Sequence, residues 1–247
     1  MKVQMQIRGV IGIIVLQNGD LNLLSVALIR ELNAALDAFE SDFAIRVIII
    51  TSYAKAFCAG ADLTELLAET PQKPDFIDDW QYLGSVQKPV IACVMGACFG
   101  GGLEITLMCD LIIASDNAQF AFPEVKLGLL PGGGGTQRIN KRIGASRAAE
   151  LLFTGASIHA NKACEWGLVN YVFSKDVCFD ETLILAQKIA QHSGEATRAI
   201  KRVIIDSYHS SMVESLDEGL RNERVAFYTR LFSANGFDGI HAFFAKK

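Results

Sequence analysis

Three short runs of uninterrupted apolar residues constrain the fold of this chain most strongly. They cover Arg46–Thr51, Val90–Val94 and Leu111–Ala114. Strands that are buried on both faces, as in a parallel sheet, have this pattern, whereas a strand with one wet face alternates apolar and polar residues. The first two runs each lead through a glycine-containing loop into a helical pattern. Because strands that alternate with helices form parallel sheets, the sequence predicts an α/β fold.

Other periodic segments of the N-terminal half fit this plan. Val3–Arg8 alternates apolar and polar residues and is predicted to pair with Gly12–Leu16 as a second strand. Ser25–Phe39 has apolar residues at helical spacing, and Ser25 is placed to cap the first turn. Gln119–Phe122 is predicted to be a short strand that ends at a proline.

From about Ser146 onward the chain becomes mainly helical. Only Leu168–Phe173 is predicted to be extended there. No linker rich in proline or serine precedes this part, so its helices are expected to pack on the core or on a neighbouring subunit. The five predicted helices are Ser146–Phe153, Ala160–Trp166, Glu181–His192, Glu195–Tyr208 and Met212–Phe232.

The composition excludes several classes of protein. The chain of 247 residues has a net charge of −4 and no run of five basic residues, so nothing in it indicates binding to nucleic acid. Its six cysteines form no C-x-x-C pair, which argues against a disulfide framework or a zinc site and favours a reducing compartment. Val90–Cys109 is apolar enough to resemble a membrane helix, but a glycine cluster and Glu104 interrupt it. We therefore expect a cytoplasmic protein that does not bind a membrane.

Glu104 is the only charged residue between Val90 and Cys109 and follows the cluster Gly100–Gly102. If this cluster is a strand-to-helix turn, its free N–H groups lie at the positive end of the helix dipole, where they stabilise a negative oxygen. Glu104 lies one helical turn after Gly101, which places a carboxylate beside a main-chain donor. The alternative is a tight turn beside a partly exposed glutamate.

Two further loops repeat this logic. Phe57–Asp62 also lies between a buried strand and a helix, so Ala61 can supply a second N–H donor, and Asp62 is favoured as the cap of the next helix. Glu124 follows an apolar strand, and two carboxylates in one apolar cleft can be driven to different pKa values. Gly132–Gly135 is predicted to be a structural turn rather than a phosphate loop, since no lysine of the P-loop type follows it.

Four segments together resemble the enoyl-CoA hydratase/isomerase (crotonase) family, in order and spacing over nearly the whole chain. They are KAFCAGADLTEL, KPVIACVMGACFGGGLEITLMCDLIIAS, AQFAFPEVKLGLLPGGGGTQR and TGASIHANKACEWGLVNYV. The resemblance implies a crotonase-type spiral of ββα units with a helical C-terminal trimerisation region. It places the spiral core and the active site in residues 1–190, and the oligomerisation region in residues 191–247.

The resemblance also implies roles for individual residues. The N–H groups of Ala61 and Gly101 are expected to form an oxyanion hole for a thioester carbonyl, and Glu104 and Glu124 to handle the water and the proton. Neighbouring residues are expected to contact an acyl-CoA thioester, whose CoA is part of the substrate, so that no separate cofactor or metal is expected. The residues expected to contact the thioester are Ala59, Gly60, Asp62, Leu63, Gly100 and Pro123. The resemblance also implies assembly as a homotrimer or homohexamer.

Because both acids are present, the sequence favours an enoyl-CoA hydratase that adds water reversibly, with syn geometry, across trans-2-enoyl-CoA in lipid or fatty-acid metabolism. An isomerase, hydrolase or decarboxylase that acts on acyl-CoA through the same fold is the alternative within enzymes. A protein that only binds a partner is the alternative of another class, and the acidic balance of the chain argues against RNA as that partner.

Overall fold

The computed structural model describes residues 1–67 and 78–209. Within them the chain forms an α/β fold of ten strands and nine α-helices, which confirms the predicted fold class. The strands are β1 Val3–Arg8, β2 Ile11–Leu16, β3 Val47–Ser52, β4 Ala56–Cys58, β5 Val90–Val94, β6 Ala97–Phe99, β7 Leu111–Ser115, β8 Gln119–Ala121, β9 Ile158–His159 and β10 Tyr171–Phe173. The helices are α1 Val26–Ser41, α2 Leu63–Leu67, α3 Tyr82–Ser85, α4 Gly101–Thr106, α5 Gly135–Ile143, α6 Ala145–Thr154, α7 Ala160–Glu165, α8 Cys178–Ala190 and α9 Gly194–His209.

The strands form two sheets. The larger has the order β1-β2-β3-β5-β7-β10, and only its β1–β2 pair is antiparallel. The smaller has the order β4-β6-β8-β9, and its first three strands run parallel. Strands β2, β3 and β5 are buried along their whole length, as the uninterrupted apolar runs require.

Consecutive strands alternate between the sheets. Strands β3, β5 and β7 lie in the larger sheet, and each is followed at once by a short strand, β4, β6 or β8, in the smaller one. Helices α2 and α4 follow the first two of these pairs, and a 3-10 turn, Pro123–Leu127, follows the third. Because β4, β6 and β8 are parallel neighbours, the loops that leave their carboxyl ends meet at one edge of the smaller sheet.

Most predicted elements are present with shifts of a few residues at their ends. Ser25 caps α1, because its side chain accepts a hydrogen bond from the N–H of Leu28 at 3.2 Å. The strand predicted at Leu111–Ala114 is β7, and the helix predicted at Ser146–Phe153 is α6. Several elements were not predicted. Strands β4 and β6 lie where loops were expected, and strand β9 and helices α3 and α5 have no counterpart in the prediction.

Helix α9, the first helix of the predicted C-terminal region, is joined to the α/β core by a buried lysine. Lys201 Nζ donates hydrogen bonds to Asp110 Oδ2 at 2.8 Å and to the carbonyl of Lys88 at 2.9 Å. Asp110 Oδ2 also accepts from the N–H of Val90, the first residue of β5. The predicted helix Met212–Phe232, with the greater part of the predicted oligomerisation region, lies outside the described residues.

In the parts of the chain that the structure describes, no helix combines the length and the apolar character that crossing a bilayer requires. The apolar segment Val90–Cys109 contains β5, β6 and the whole of the six-residue helix α4.

Helix α4 is held close to β4 through Gly102, so a side chain at this position should destabilise the fold. A Cβ there would overlap the carbonyl oxygen of Cys58 and approach its Cβ to 2.8 Å. We expect Gly102→Ala to lower the free energy of unfolding by about 1–3 kcal/mol, measured by urea denaturation.

Gly194→Ala is the matched control, because a Cβ at this first residue of α9 meets no atom within 4 Å. It should change the free energy of unfolding by less than about 1 kcal/mol. Equal stability of the two variants would contradict the proposed close packing of α4 on β4.

Candidate active site

The candidate site lies where the chain leaves the carboxyl ends of β4, β6 and β8. The loop Ala59–Asp62 follows β4, Gly100 follows β6, and the turn that contains Glu124 follows β8. A Cβ at Gly60 would lie 3.5 Å from the carbonyl oxygen of Phe99, and the N–H of Gly100 donates to the carbonyl of Ala121 at 2.9 Å. The three loops predicted to carry the chemistry are therefore adjacent.

The direction of the Ala61 N–H is set by pairing with the segment before α1. Leu24 donates its N–H to the carbonyl of Gly60 at 2.8 Å, and its own carbonyl accepts from the N–H of Asp62 at 3.0 Å. In such a parallel bridge, the residue between the two bonded groups directs its own N–H away from the partner strand. The Ala61 N–H consequently finds no acceptor among residues 1–67 and 78–209.

Gly101 supplies a second unpaired N–H at the start of α4. It is the first helical residue and lacks an intrahelical partner for its N–H, and no other acceptor within the described ranges takes that hydrogen. Gly100 precedes it with φ of 52°, a conformation that favours glycine. Two neighbouring loops thus each present one free main-chain donor, the type of group that stabilises a developing negative oxygen.

Glu104 is buried in α4, with only 2% of its surface exposed. Its Oε1 accepts a hydrogen bond from the N–H of Gly135 at 2.7 Å. Burial raises its pKa above the ordinary value, whereas hydrogen bonds from the N–H groups of Gly135 and Gly133 and the charge of Arg138 lower it. Glu104 is therefore a buried carboxylate whose ionised form has dedicated partners.

The glycine-rich turn before α5 is an anion-binding site for the protein's own carboxylate. Gly135 is the first residue of α5, so its N–H lies at the positive end of the helix dipole, where it donates to Glu104. A Cβ at Gly133 would lie 3.0 Å from Glu104 Oε2, which leaves no room for a side chain between them. The N–H of Gly135 is thus occupied by Glu104 and is not available to a phosphate.

Glu124 lies in the 3-10 turn Pro123–Leu127, and its environment differs from that of Glu104. Its Oε2 is buried and has no hydrogen-bond partner in the described parts of the chain, and its Oε1 lies 2.7 Å from the position of a Cβ at Gly100. Burial raises the pKa of Glu124 to about 7; a hydrogen bond from its own N–H lowers it, and the negative charge of Glu104 raises it further.

These environments raise the pKa of both acids, and they raise that of Glu124 further. Glu104 has two N–H donors and a nearby guanidinium, which stabilise its carboxylate, whereas Glu124 has an oxygen without a donor and a carboxylate as its neighbour. Two acids whose environments push their pKa values apart are the arrangement used for paired general base and general acid catalysis.

The indole of Trp80 packs between the two glycine turns. A Cβ at Gly101 or at Gly133 would lie 2.8 Å from this ring, and one at Gly101 would also lie 3.0 Å from Leu24 Cδ1. Trp80 is buried, with 2% of its surface exposed. The ring therefore fixes the distance between the turn that carries a free N–H and the turn that holds Glu104.

The other predicted substrate-contacting residues lie around these groups. Gly60, with φ of 122°, and Ala59 shape the loop after β4, and the Ala59 N–H donates to the carbonyl of Leu21. Asp62 caps α2, since its Oδ1 accepts from the N–H and the hydroxyl of Thr64 at 3.0 and 2.6 Å. Contact of these residues with a substrate stays a prediction. Gly100 contacts Glu124, and the remaining two predicted residues, Leu63 and Pro123, begin α2 and the 3-10 turn.

Sequence reasoning missed the residues that support Glu104. Arg138 and Gln81 hydrogen-bond to the glycine-rich turn, and Gly133 and Gly135 direct their N–H groups at the carboxylate. One signal in the sequence could have indicated α5. Four glycines come directly before a polar segment in which the apolar residues Ile139 and Ile143 lie four positions apart, as on one face of a helix.

The raised pKa of Glu124 should lower the stability of the folded protein as the pH increases. Its folded-state pKa of about 7 lies above the ordinary value of 4.5, so the folded protein binds more protons than the unfolded chain between these values and loses stability as the pH rises through them. Glu124→Gln should therefore raise the free energy of unfolding by about 1–2 kcal/mol near pH 8 and hardly at all near pH 4, after allowance for the partial solvent access of the group.

Urea denaturation at both pH values measures this difference. Glu150→Gln is the control, because Glu150 is an exposed carboxylate on α6. The interpretation of Glu124 is wrong if both substitutions give the same change of stability with pH.

The chain is similar to a group of known proteins. A family model described as "Enoyl-CoA hydratase/isomerase" matches residues 6–247. A "Probable enoyl-CoA hydratase" of Rhizobium meliloti is 38% identical over 244 residues, which cover 97% of this chain and 93% of that protein. The "2,3-dehydroadipyl-CoA hydratase" of Escherichia coli is 38% identical over 232 residues, or 92% of this chain and 88% of that protein.

The fold agrees with these relatives. The crystal structure of an enoyl-CoA hydratase from Bacillus anthracis superposes with a TM-score of 0.92 at 31% sequence identity, and the alignment covers 100% of this chain and 97% of that one. The predicted crotonase-type spiral is thereby confirmed for the core that the structure describes.

Proposed function

This chain belongs to the enoyl-CoA hydratase/isomerase family, and we propose from its site that it is an enoyl-CoA hydratase. The reaction is the reversible syn addition of water across the 2,3-double bond of a trans-2-enoyl-CoA, which gives a 3-hydroxyacyl-CoA. The observation that carries the proposal is the meeting of two glutamates in different environments, one that accepts a main-chain hydrogen bond and one with a buried oxygen that lacks a partner in the described residues, with two free main-chain N–H groups at one sheet edge. The hydratases among its relatives, which are 38% identical to it, support the same conclusion.

The N–H groups of Ala61 and Gly101 are proposed to bind the thioester oxygen. Addition of water at C3 moves electrons through C2 to this oxygen, which takes up enolate-like negative charge. Donors that are fixed before the reaction stabilise this charge without reorganising, and a donor that already had an internal partner would not be available. Neither N–H has such a partner in the described residues.

Glu104 and Glu124 are proposed to divide the proton transfer. The carboxylate of Glu104 orients the water and accepts its proton as the oxygen attacks C3, because the glycine-rich turn stabilises the ionised form. The protonated Glu124 delivers its proton to C2 and removes it again in the reverse direction, as its raised pKa allows. Both acids act on one face of the double bond, which gives syn addition. The proposed steps use only these acids and N–H groups, and CoA enters as part of the substrate.

Each of the two acids should be essential for hydration. Glu104→Gln and Glu124→Gln should each lower kcat for crotonyl-CoA by about 10²–10⁴, since each removes one general acid or base. The expected readout is a slower loss of the conjugated enoyl thioester absorbance. Binding of butyryl-CoA, which has no double bond to hydrate, should persist in both variants.

Glu150→Gln, which removes an exposed carboxylate from α6, is the control and should keep wild-type turnover. Near-normal turnover in either active-site variant would refute the assignment of roles. Mass analysis of the wild-type product distinguishes the alternatives: hydration adds the mass of one water, isomerisation leaves the mass unchanged, hydrolysis releases CoA and decarboxylation releases CO₂.

The main-chain donor at Ala61 can be tested by replacing this residue with lactic acid, which exchanges the N–H for an ester oxygen. We expect kcat/KM for crotonyl-CoA to fall by about 10²–10³. Stability should fall only through the weaker hydrogen bond that the ester carbonyl of Gly60 accepts from Leu24, because the exchanged N–H itself makes none within the described residues.

The same exchange at Ala56 is the matched control. Its N–H donates to the carbonyl of Asp20 at 3.1 Å, so the ester should lower stability and leave the rate nearly unchanged. An Ala61 ester with wild-type kcat/KM would show that this N–H does not bind the reacting oxygen.

Three further properties stay proposals that rest on family membership. They are a role in fatty-acid metabolism, assembly as a homotrimer or homohexamer, and location in the cytoplasm.

A further inference from the structure

Arg138 lies against the turn that holds Glu104. It belongs to the first turn of α5, where its Nη1 donates to the carbonyl of Gly133 at 2.8 Å. Its Nη2 donates to Gln81 Oε1 at 2.7 Å. The planar guanidinium therefore binds two fixed acceptors at once, which a lysine cannot do with the same geometry.

Gln81 closes this arrangement into a ring of hydrogen bonds. It follows Trp80 in the chain, and its Nε2 donates to the same carbonyl of Gly133 at 3.1 Å. The carbonyl of Gly133 thus accepts from both side chains, while Gln81 accepts from Arg138. Each of the three groups limits the movement of the other two.

The turn packs closely against these partners. Gly134 has φ of 100°, and a Cβ at this position would overlap Arg138 Nη1. A Cβ at Gly133 would approach Glu104 Oε2. The same three-residue turn is consequently in contact with the guanidinium and with the buried carboxylate.

We propose that Arg138, acting with Gln81, is a positioning residue that fixes the Gly133–Gly135 turn so that its N–H groups stay directed at the Glu104 carboxylate. The inference rests on the proposed hydratase function, because it concerns the acid that orients the water. Arg138 acts through the turn and through its charge, and it is not proposed to touch the substrate.

The charges around Glu104 allow the proposal to be tested through the pKa of this acid. The charge of Arg138 lowers the pKa of Glu104, whereas Glu124 is a negative neighbour. Strands β4 and β6, which also pack on α4, present Cys58 and Cys98, whose thiols stay neutral because burial raises their pKa values. Arg138 is therefore the only cation that interacts with Glu104 in the described parts of the chain.

The experiment compares the pH profile of kcat/KM for crotonyl-CoA in the wild type and in Arg138→Met. Loss of the charge and of both hydrogen bonds should raise the pKa of Glu104, so the acid limb of the profile should move to higher pH. At the optimum, kcat should fall by about 10–10²-fold through misplacement of the carboxylate, with little change in KM. A purely structural role would lower the amount of folded enzyme without moving the limb.

Two conservative variants separate charge from geometry. Arg138→Lys keeps the cation and should leave the acid limb near its wild-type position while kcat falls at least about fivefold, since a lysine does not reproduce the planar fork. Gln81→Met should lower kcat in the same way. Lys141→Gln removes an exposed cation from the last turn of the same helix. This control should change neither the pH of the acid limb nor kcat.

A measurement without substrate distinguishes failure of this proposal from failure of the proposed function. The infrared carboxylate band that disappears in Glu104→Gln identifies Glu104, and it is titrated in the wild type and in Arg138→Met. A band that titrates at higher pH in the variant supports the positioning role even if the wild type fails to hydrate crotonyl-CoA, which would refute the function alone.

An unmoved band together with an unmoved acid limb overturns the proposal. If Arg138→Met does not fold, the test passes to Arg138→Lys and Gln81→Met. Lowered kcat in both folded variants then supports the proposal, and wild-type kcat in both overturns it.

Discussion

The burial of one carboxylate is the constraint on which the site depends. Glu104 is buried within an apolar stretch of the sequence, and a buried ion is tolerated only when donors replace the water it has lost. The donors come from a turn 31 residues further along the chain, through the N–H of Gly135 and that of Gly133. This requirement brings the start of α5 against α4, and with it Trp80, which packs on both glycine turns. Packing and electrostatics therefore specify the same arrangement.

The chemical difference between the two acids follows from the same arrangement. The main-chain donors and the guanidinium stabilise the charged form of Glu104, and its charge in turn opposes ionisation of Glu124. Two identical side chains differ in how readily they ionise, because one has partners for its charge and the other has a buried oxygen that lacks them in the described residues. The two pKa values therefore differ although both residues are glutamates.

The sequence predicted those parts of the fold that depend on local pattern. The long apolar strands and the capped helix α1 follow from hydrophobic period and from the side chain of Ser25. The convergence of Glu104 and Glu124 was predicted because the family's motifs place both beside glycine loops. Strands β4 and β6 were missed, since three residues next to glycine are too few to show a period. Arg138 and Gln81 were missed for another reason: they lie 57 positions apart, and nothing in local sequence indicates that they meet.

The pairing of Leu24 with the residues on either side of Ala61 has a consequence for how this protein can change over time. The group that faces the proposed anion is part of the polypeptide backbone, so almost any amino acid at position 61 would still provide it. Substitution at position 61 therefore leaves this donor in place, whereas a single codon change at either glutamate removes its carboxylate. The acids, and with them the proposed reaction, can therefore change while the main-chain donor at position 61 is kept.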